Sequence, residues 1–372
     1  MSWPRVKLSD VATINPRLPR DVDESQQVTF VAMASASEDG HLLASEARVL
    51  SETKKGFTYF DRSDVLLAKI TPCFENGKCL RPGQIPTEIG FGSTEFHVIR
   101  PDTESLDSLY LFYLVWSEQF RFLGEKSMSG AAGQKRVGSD FLKGFEIPLP
   151  PLPEQKRIAA ILDKADAIRR KRQQAIQLAD DFLRAVFLDM FGDPNSNPKS
   201  VDVLPMTEVF DIKTGKLNSN AAIEGGKYPF FTCAKEVFAI DEYAFDQEAL
   251  LLAGNNAQAD YDVKHYKGRF NAYQRTYVLT LRDSTWSYPF YKFALQYQLS
   301  SLKYASKGSS TKYITMEIMG RTMLPVPSQE DQKIFVDHFE RVGNVQAALL
   351  VQAQNDENLF SALSNRVFSG QL

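Results

Sequence analysis

Three polar stretches hold the residues of this chain that are best suited to a chemical task. They span residues 126–136, 264–275 and 303–313, and each combines cations with amide or hydroxyl groups and glycine. Lysine and arginine neutralise phosphates, and arginine, glutamine and asparagine can form paired hydrogen bonds with base edges. A solvated polar loop is the simpler interpretation of any single residue. The occurrence of such stretches at corresponding places in both halves of the chain nevertheless indicates contact with DNA.

The expected DNA contacts come from these stretches and from a few lysines and asparagines at nearby β-type runs and glycine turns. In the first half of the chain the candidates are Lys69, Lys126, Ser129, Gln134, Lys135 and Arg136. In the second half they are Lys216, Asn255, Asn256, Lys267, Arg269, Tyr273, Gln274, Arg275, Lys307, Ser309, Ser310 and Lys312.

Motifs for catalysis or metal binding are not evident in the sequence. No Gly-Lys pair has the upstream glycine of a phosphate-binding loop. Residues 288–291, Tyr-Pro-Phe-Tyr, lack the amide or carboxylate that an adenine methyltransferase needs, and residues 101–104 lack the lysine of a nuclease pattern. Cys73 and Cys79 are poorly spaced for zinc and have no second pair. We therefore expect neither a catalytic residue nor a metal site, although a cluster assembled only in space stays open.

Bulk composition restricts the class of protein. The 372 residues suffice for about two or three domains, and 43% hydrophobic with 24% charged residues is typical of a globular chain. The net charge of −3 excludes an overall basic DNA binder, so DNA contact must rest on local patches or on a charged partner. Only 3 cysteines, no apolar run long enough for a membrane span and no signal-peptide core favour the cytoplasm.

Two long segments of the chain repeat one another. Residues 148–192 begin Pro-Leu-Pro-Pro-Leu-Pro-Glu-Gln-Lys-Arg-Ile, and residues 325–370 begin Pro-Val-Pro-Ser-Gln-Glu-Asp-Gln-Lys-Ile. One constant shift aligns Gln155 with Gln332 and Phe191 with Phe368. A duplication of this length predicts internal pseudo-twofold symmetry, which suits a protein that contacts two copies of something.

Apolar residues spaced three and four apart predict that each repeat is a long helix packed along its length against another helix. The predicted seam of this helix pair consists of Ile158, Ile161, Ala165, Ile168, Ala175, Ala179, Phe182, Val186, Phe335, Val342, Val345, Leu349, Leu359 and Leu363. Arg172, Gln352 and Asp356 interrupt the seam, and polar seam positions can fix register. Additional apolar residues such as Leu183 and Phe187 have two interpretations: contact with a partner's helix, or packing on the globular segments.

The predicted organisation is therefore a mixed α/β (α+β) chain of four segments. A first β-rich globule spans residues 1–147 and a first long helix 148–192. A second globule spans 193–324 and a second long helix 325–372. The basic run at 169–172 fits an exposed helix face or a contact with phosphate or a partner.

At this point the residues resemble a known family, the DNA-specificity subunits of type I restriction–modification systems. The proline-rich entry with Glu-Gln at 148–158, followed by a long helix, is similar to that family's conserved regions. Residues 268–278 resemble a motif of its target-recognition domains, and residues 226–232 and 64–70 fit the same pattern. The resemblance spans the whole chain. The start of the second long helix, at 328–332, lacks the Pro-Glu-Gln sequence of the first, which leaves the strength of partner binding on that side open.

The resemblance implies a non-catalytic subunit with two target-recognition domains, each contacting one half of a split DNA target through the major groove. The long helices would pack antiparallel as a coiled coil and set the gap between half-sites. Two methylation subunits would dock on the helices and bring S-adenosylmethionine. Two restriction subunits would add ATP- and magnesium-dependent translocation and cleavage. The chain itself would bind no cofactor, and the complex would work in the cytoplasm.

Two other classes of function stay open from the residues alone. One is a self-contained DNA methyltransferase or nuclease with an unrecognised active site. The other is a coiled-coil scaffold without a DNA role, which the matching basic loops in both halves disfavour.

Overall fold

The computed structural model describes residues 3–131, 133–256, 260–309 and 311–369. The chain forms two compact units. Unit 1 comprises Met1–Gln173 together with Val351–Leu372, and unit 2 comprises Gln174–Leu350. Each unit therefore contains one β-rich globule and a part of each of the two long helices.

Unit 1 mixes short strands with helices. Its strands are β1 (Arg5–Lys7), β2 (Ala12–Ile14), β3 (Gln27–Val31), β4 (Glu46–Val49), β5 (Thr58–Asp61), β6 (Val65–Ala68), β7 (Cys79–Leu80), β8 (Ile89–Gly92), β9 (Phe96–Pro101) and β10 (Glu146–Pro148). Its helices are α1 (Leu8–Val11), α2 (Leu50–Thr53), α3 (Ser108–Trp116), α4 (Glu118–Ser127), α5 (Ser139–Gly144) and the first part of α6 (Leu152–Phe191).

Unit 2 has its own set of elements. Its strands are β11 (Val203–Pro205), β12 (Phe210–Thr214), β13 (Tyr228–Phe231), β14 (Phe238–Ile240), β15 (Phe245–Ala253), β16 (Asn255–Asn256), β17 (Val263–Ala272), β18 (Thr276–Leu281), β19 (Lys312–Tyr313) and β20 (Met323–Pro325). Its helices are α7 (Met206–Val209), α8 (Tyr288–Ala305), α9 (Met316–Arg321) and the first part of α10 (Gln329–Phe368).

Apart from β7, which has no counterpart in the described sheet of unit 2, the main strands of the two units are connected in the same way. Unit 1 has sheets of order β2-β9-β6-β7 and β4-β3-β8-β5, and unit 2 joins the equivalent strands into one sheet, β12-β18-β15-β17-β13-β14. The single long strand β15 pairs with both β17 and β18, as β5 pairs with β8 and β6 with β9. A parallel pair, β3 with β8 and β13 with β17, occurs at the corresponding place in each unit. The mixed α/β class predicted from the sequence is confirmed.

A buried glutamine attaches each long helix to its globule. Gln155 of α6 is fully buried, accepts a hydrogen bond from the backbone N–H of Asp107 at 2.9 Å, and donates to the carbonyls of Ser105 and Pro150 at 2.8 Å each. Asp107 in turn caps α3, because its carboxylate accepts from the backbone N–H groups of Leu109 and Tyr110.

The corresponding glutamine of α10 makes the same kind of contact in unit 2. Gln332 accepts a hydrogen bond from the N–H of Ser287, the residue before α8, at 3.0 Å, and donates to the carbonyl of Pro327 at 3.0 Å. In both units the glutamine that follows the proline-rich entry thus satisfies backbone groups that would otherwise be buried without a partner.

Within each unit the two helix segments run in opposite directions. In unit 1, Arg169 contacts Glu357 at 3.1 Å and Arg172 contacts Asp356 at 2.7 Å and also Gln352. In unit 2, Gln346 donates to Asp180 at 2.7 Å, and the rings of Phe187 and Phe335 lie 5.5 Å apart. The polar residues predicted to interrupt the seam, Arg172, Gln352 and Asp356, therefore contact one another.

The buried positions of the helices differ from part of the predicted seam. Ile158 and Phe335 are buried, but five predicted seam residues are exposed: Ile161, Ile168, Phe182, Val345 and Leu359. The buried side chains lie one position later, at Leu162, Leu183 and Phe360. The reason is that each helix segment packs on a globule as well as on its neighbour, which rotates the buried stripe. The remaining predicted seam residues, Ala165, Ala175, Ala179, Val186, Val342, Leu349 and Leu363, are half-buried.

Phe187, one of the additional apolar residues of α6, packs on the globule of unit 2. It is buried, and its ring lies 5.3 Å from that of Phe293 and 6.0 Å from that of Phe290, both on α8. Of the two predicted interpretations, packing on the globular segment therefore holds for Phe187. Leu183 is buried as well. None of the helices in the described part of the chain is long and apolar enough to span a membrane.

Candidate nucleic-acid interface

In unit 1, residues far apart in sequence form a small backbone ladder, called the first ladder here (residues 69–71, 93–97, 128–130 and 134–137). Ser129 and Arg136 exchange two backbone hydrogen bonds, at 3.1 and 2.9 Å. Lys69 accepts from the N–H of Val137 and donates to the carbonyl of Glu95, both at 2.9 Å. Five DNA-contact candidates, Lys69, Ser129, Gln134, Lys135 and Arg136, are thereby brought to one place.

Unit 2 contains an equivalent second ladder (residues 254–256, 273–277, 306–308 and 311–314). Lys307 and Tyr313 exchange two backbone hydrogen bonds, at 3.1 and 2.9 Å. Gly254 accepts from the N–H of Ile314 at 2.9 Å and donates to the carbonyl of Arg275 at 2.8 Å. Each bond has a counterpart in the first ladder, so Lys69 corresponds to Gly254, Glu95 to Arg275 and Arg136 to Tyr313.

One side-chain hydrogen bond is also repeated, although the residue types differ. In unit 1 the His97 ring contacts the carbonyl of Val137 through Nε2 at 2.9 Å, while Nδ1 lies 3.1 Å from the Asn15 amide nitrogen. In unit 2 the Tyr277 hydroxyl donates to the carbonyl of Ile314 at 2.8 Å. Burial lowers the pKa of His97. A neutral ring fits, because Nε2–H can then donate to the carbonyl while Nδ1 accepts from Asn15.

Ion pairs hold some of the cations of both ladders. Arg136 contacts the Glu95 carboxylate at 2.9 Å, and this hydrogen bond lowers the pKa of Glu95. Lys307 contacts Glu317 at 2.8 Å, which likewise lowers the pKa of Glu317. Lys126 lies in the last turn of α4, just before the first ladder, with its ammonium nitrogen 4.0 Å from the Phe122 ring centroid.

Two candidates of the second half, Gln274 and Arg275, line a cleft of about 420 Å³ beside the second ladder. Its walls also include Tyr313 and Met316. Asn255 and Asn256 of β16 pair with Tyr313 and Lys312 of β19. The other candidates here are Tyr273, Lys307 and Ser309, whereas Ser310 lies outside the described residues.

Close backbone approach explains two glycines of this region. A Cβ on Gly254 would lie 2.4 Å from the carbonyl oxygen of Arg275, and one on Gly215 would lie 1.7 Å from that of Ala272. Any side chain there would displace the 273–275 turn. Lys216 follows Gly215 and lines a neighbouring cleft of about 740 Å³.

The structure places two further candidates apart from the ladder. Lys267 and Arg269 project from β17 and pair with carboxylates of β15, Lys267 with Glu248 at 3.1 Å and Arg269 with Asp246 at 3.0 Å. Their charges are therefore balanced by acidic groups within the protein.

Sequence reasoning missed two polar positions of the ladders, Thr94 and Glu95, and it placed Tyr313 at the end of a basic stretch without naming it as a contact. Thr94 and Glu95 stand beside Phe96, at the start of β9, and lie outside any basic stretch. Only the correspondence of the two halves could have identified these positions, and this correspondence requires the backbone hydrogen bonds that align residue 95 with residue 275. Among the described residues, no group of histidine, cysteine or acidic side chains is arranged to hold a metal ion.

The family comparison decides the class of this chain. The family model described as "Type I restriction modification DNA specificity domain" matches residues 2–178 and 198–357. The chain belongs to this family. Membership in the type I DNA-specificity family confirms the resemblance predicted from the sequence.

Relatives within the type I DNA-specificity family match parts of this chain. The EcoEI specificity subunit of Escherichia coli is 32% identical over 216 residues, 56% of this chain and 36% of the relative. The EcoAI specificity subunit of the same species is 41% identical over 159 residues, 42% of this chain and 26% of the relative. The matched part thus spans about a third or less of these relatives. The MjaVIII specificity subunit of Methanocaldococcus jannaschii is 21% identical over 72% of this chain and 71% of its own.

Solved structures share the fold of this specificity-family chain. The type I restriction–modification S subunit from M. genitalium has a TM-score of 0.60 at 15% identity, covering 98% of this chain and 96% of its own. A chain from work on complex assembly and conformational transition of the type I R-M system has a TM-score of 0.55 at 21% identity, covering 100% and 98%. At these identities the likeness concerns the fold.

Proposed function

We propose that this chain is the DNA-specificity subunit of a type I restriction–modification complex, in which each unit contacts one half of a split DNA target. The observation that carries the proposal is the repeated ladder, an equivalent set of backbone hydrogen bonds in both units that brings basic and polar candidates together. Its candidate contacts are the eighteen residues predicted from the sequence.

In this proposal residues 1–147 and 193–324 are the two target-recognition domains, and residues 148–192 and 325–372 are the helices that join them. The helices form an antiparallel coiled coil with internal pseudo-twofold symmetry. The opposite directions of the helix segments within each unit support this arrangement. Because a helix rises 1.5 Å per residue, the helix length sets the gap between the half-sites.

Two methylation subunits dock on the helices. Ile161, Ile168 and Phe182 of α6 and Val345 and Leu359 of α10 are apolar and exposed, and exposed apolar side chains aligned on a helix suit another protein's apolar surface. The methylation subunits carry S-adenosylmethionine, and two restriction subunits add ATP and magnesium. This chain holds no cofactor of its own, and the complex acts in the cytoplasm.

The decisive experiment maps methylated bases across the genome of cells that express this chain with the methylation subunit encoded beside it. A split motif with a constant gap, lost when this chain is omitted, is the expected result. Methylation by the isolated chain would instead establish a self-contained enzyme. A stable complex that shows no sequence preference would favour a scaffold without a DNA role.

A further inference from the structure

The repeated ladders allow a residue-by-residue comparison of the two units. The turn that follows the parallel-paired strand, β8 or β17, is equivalent in both units. The N–H of Phe96 donates to the carbonyl of Ser93 at 3.1 Å, and that of Thr276 to the carbonyl of Tyr273 at 2.8 Å. Ser93 in turn donates to Val31 at 3.2 Å and Tyr273 to Phe231 at 2.9 Å. Residues 93–95 therefore occupy the same backbone positions as residues 273–275.

One cation is common to both ladders. Arg136 corresponds to Tyr313 through the paired backbone bonds, so the preceding residues, Lys135 and Lys312, also correspond. Each lies directly beside the strand of residues 69–71 or 254–256, since Thr71 donates to the carbonyl of Lys135 at 3.0 Å and Lys312 pairs with Asn256. Within the described residues neither ammonium group has an acidic partner within ion-pair distance, in contrast to Arg136 and Lys307.

The neighbouring positions differ in chemistry although their backbones are equivalent. Where the first ladder has Thr94, Glu95 and Arg136, the second has Gln274, Arg275 and Tyr313. An exposed hydroxyl is thus replaced by an exposed amide. The ion pair of Glu95 with Arg136 is replaced by Arg275 and Tyr313, which both line the cleft beside the second ladder.

Replacements of this kind change which base a side chain can recognise. A carboxylate accepts from the cytosine amino group, an arginine donates to guanine, and a glutamine pairs with adenine. A lysine at a constant position suits a contact that is independent of sequence, because the phosphate backbone is the same at every base pair.

We propose that Lys135 and Lys312 contact backbone phosphates in their respective half-sites, and that the neighbouring positions determine the bases recognised. These determinants are Thr94, Glu95 and Arg136 for one half-site and Gln274, Arg275 and Tyr313 for the other. This inference rests on the proposed function and divides its DNA contacts into two classes.

The test uses the full chain assembled with its methylation subunit and a duplex that carries the mapped motif. Removing one phosphate contact reduces the slope of log K against log salt by about 0.9. Between about 50 and 200 mM salt, Lys135→Gln and Lys312→Gln should each shrink the salt-induced change in Kd by about 3.5-fold. The methylated motif should stay the same, and Lys312→Arg should restore the slope.

The exposed determinants Thr94 and Gln274 provide the complementary variants, because their substitution leaves the core unchanged. Thr94→Ala should relax the motif in one half-site only, and Gln274→Ala in the other half-site only, with the salt slope unchanged. The inference is overturned if the lysine variants alter the motif, or if both alanine variants leave it intact. If the unsubstituted complex methylates no split motif, the proposed function itself fails and the inference falls with it.

Discussion

The buried glutamine at the start of each long helix provides a sharp test of how the helices are attached. Replacing Gln155 with leucine removes three hydrogen bonds at 2.8–2.9 Å and leaves the N–H of Asp107 and the carbonyls of Ser105 and Pro150 without their partner. A hydrogen bond contributes a net of about 1 kcal/mol, so the loss should be about 3 kcal/mol. For Gln332→Leu, two bonds give about 2 kcal/mol.

Hydrogen–deuterium exchange followed by mass spectrometry localises the effect, because local opening governs the exchange of a protected amide. With each 1.4 kcal/mol worth a factor of ten, Gln155→Leu should speed exchange of the Asp107 amide by about 150-fold. Gln332→Leu should speed that of Ser287 by about 30-fold. Each variant serves as the control for the other unit.

The exposed neighbours Lys156 and Lys333 give matched substitutions on the same helix turn. Lys156→Ala and Lys333→Ala should leave both amides as protected as in the unsubstituted chain. Equal protection of Asp107 in the Gln155→Leu protein would refute the reasoning, since the amide would then not depend on the glutamine.

Three further predictions follow from features of the helices and globules. Asp166 is buried, and burial opposes the charged form of its carboxyl group. Hydrogen bonds from His41 and Arg169 outweigh the effect of burial and lower the pKa of Asp166 to about 2. The charged carboxylate therefore stabilises the fold above its ordinary pKa of 3.8, and this stabilisation is lost as pH falls through about 2. In denaturant titrations, the stability advantage over Asp166→Asn should therefore shrink by about 2 kcal/mol between about pH 5 and pH 2, and a constant difference would contradict the assignment. Replacing residues 1–147 with the equivalent part of a relative should change one half of the methylated motif; a change in both halves would rule out independent recognition. Inserting one heptad into each long helix should lengthen the gap by about 10 Å, or about three base pairs, in the mapped motif, whereas an unchanged gap would reject the helix length as its determinant.

The long helices were predictable because their periodic apolar pattern is local. The expected segments at 148–192 and 325–370 contain Leu152–Phe191 and Gln329–Phe368. Which face is buried was not predictable to the residue. Ile161 and Leu162 are adjacent apolar residues, and only the position of the globule decides that Leu162 is the buried one.

The candidate interface was predictable in its general location but not in its pairing. Lys267 and Arg269 belong to a basic stretch, yet their acidic partners Glu248 and Asp246 lie about twenty residues earlier, on a strand whose register the sequence does not reveal. The residue-by-residue correspondence of the two units was not predictable from the sequence for a related reason. Equivalent residues differ by 180 positions at Glu95 and Arg275, but by 177 at Arg136 and Tyr313, because the intervening loops differ in length.

The ladders are joined largely by backbone groups, and even their repeated side-chain bond is made by His97 in one unit and by Tyr277 in the other. Exposed side chains at these positions can therefore change without loss of the bonds that hold the frame. With such a backbone framework, substitutions of the exposed side chains need not lower the stability of the fold. A lineage with this architecture could acquire a new target by a few surface substitutions, with no accompanying change in the hydrophobic core.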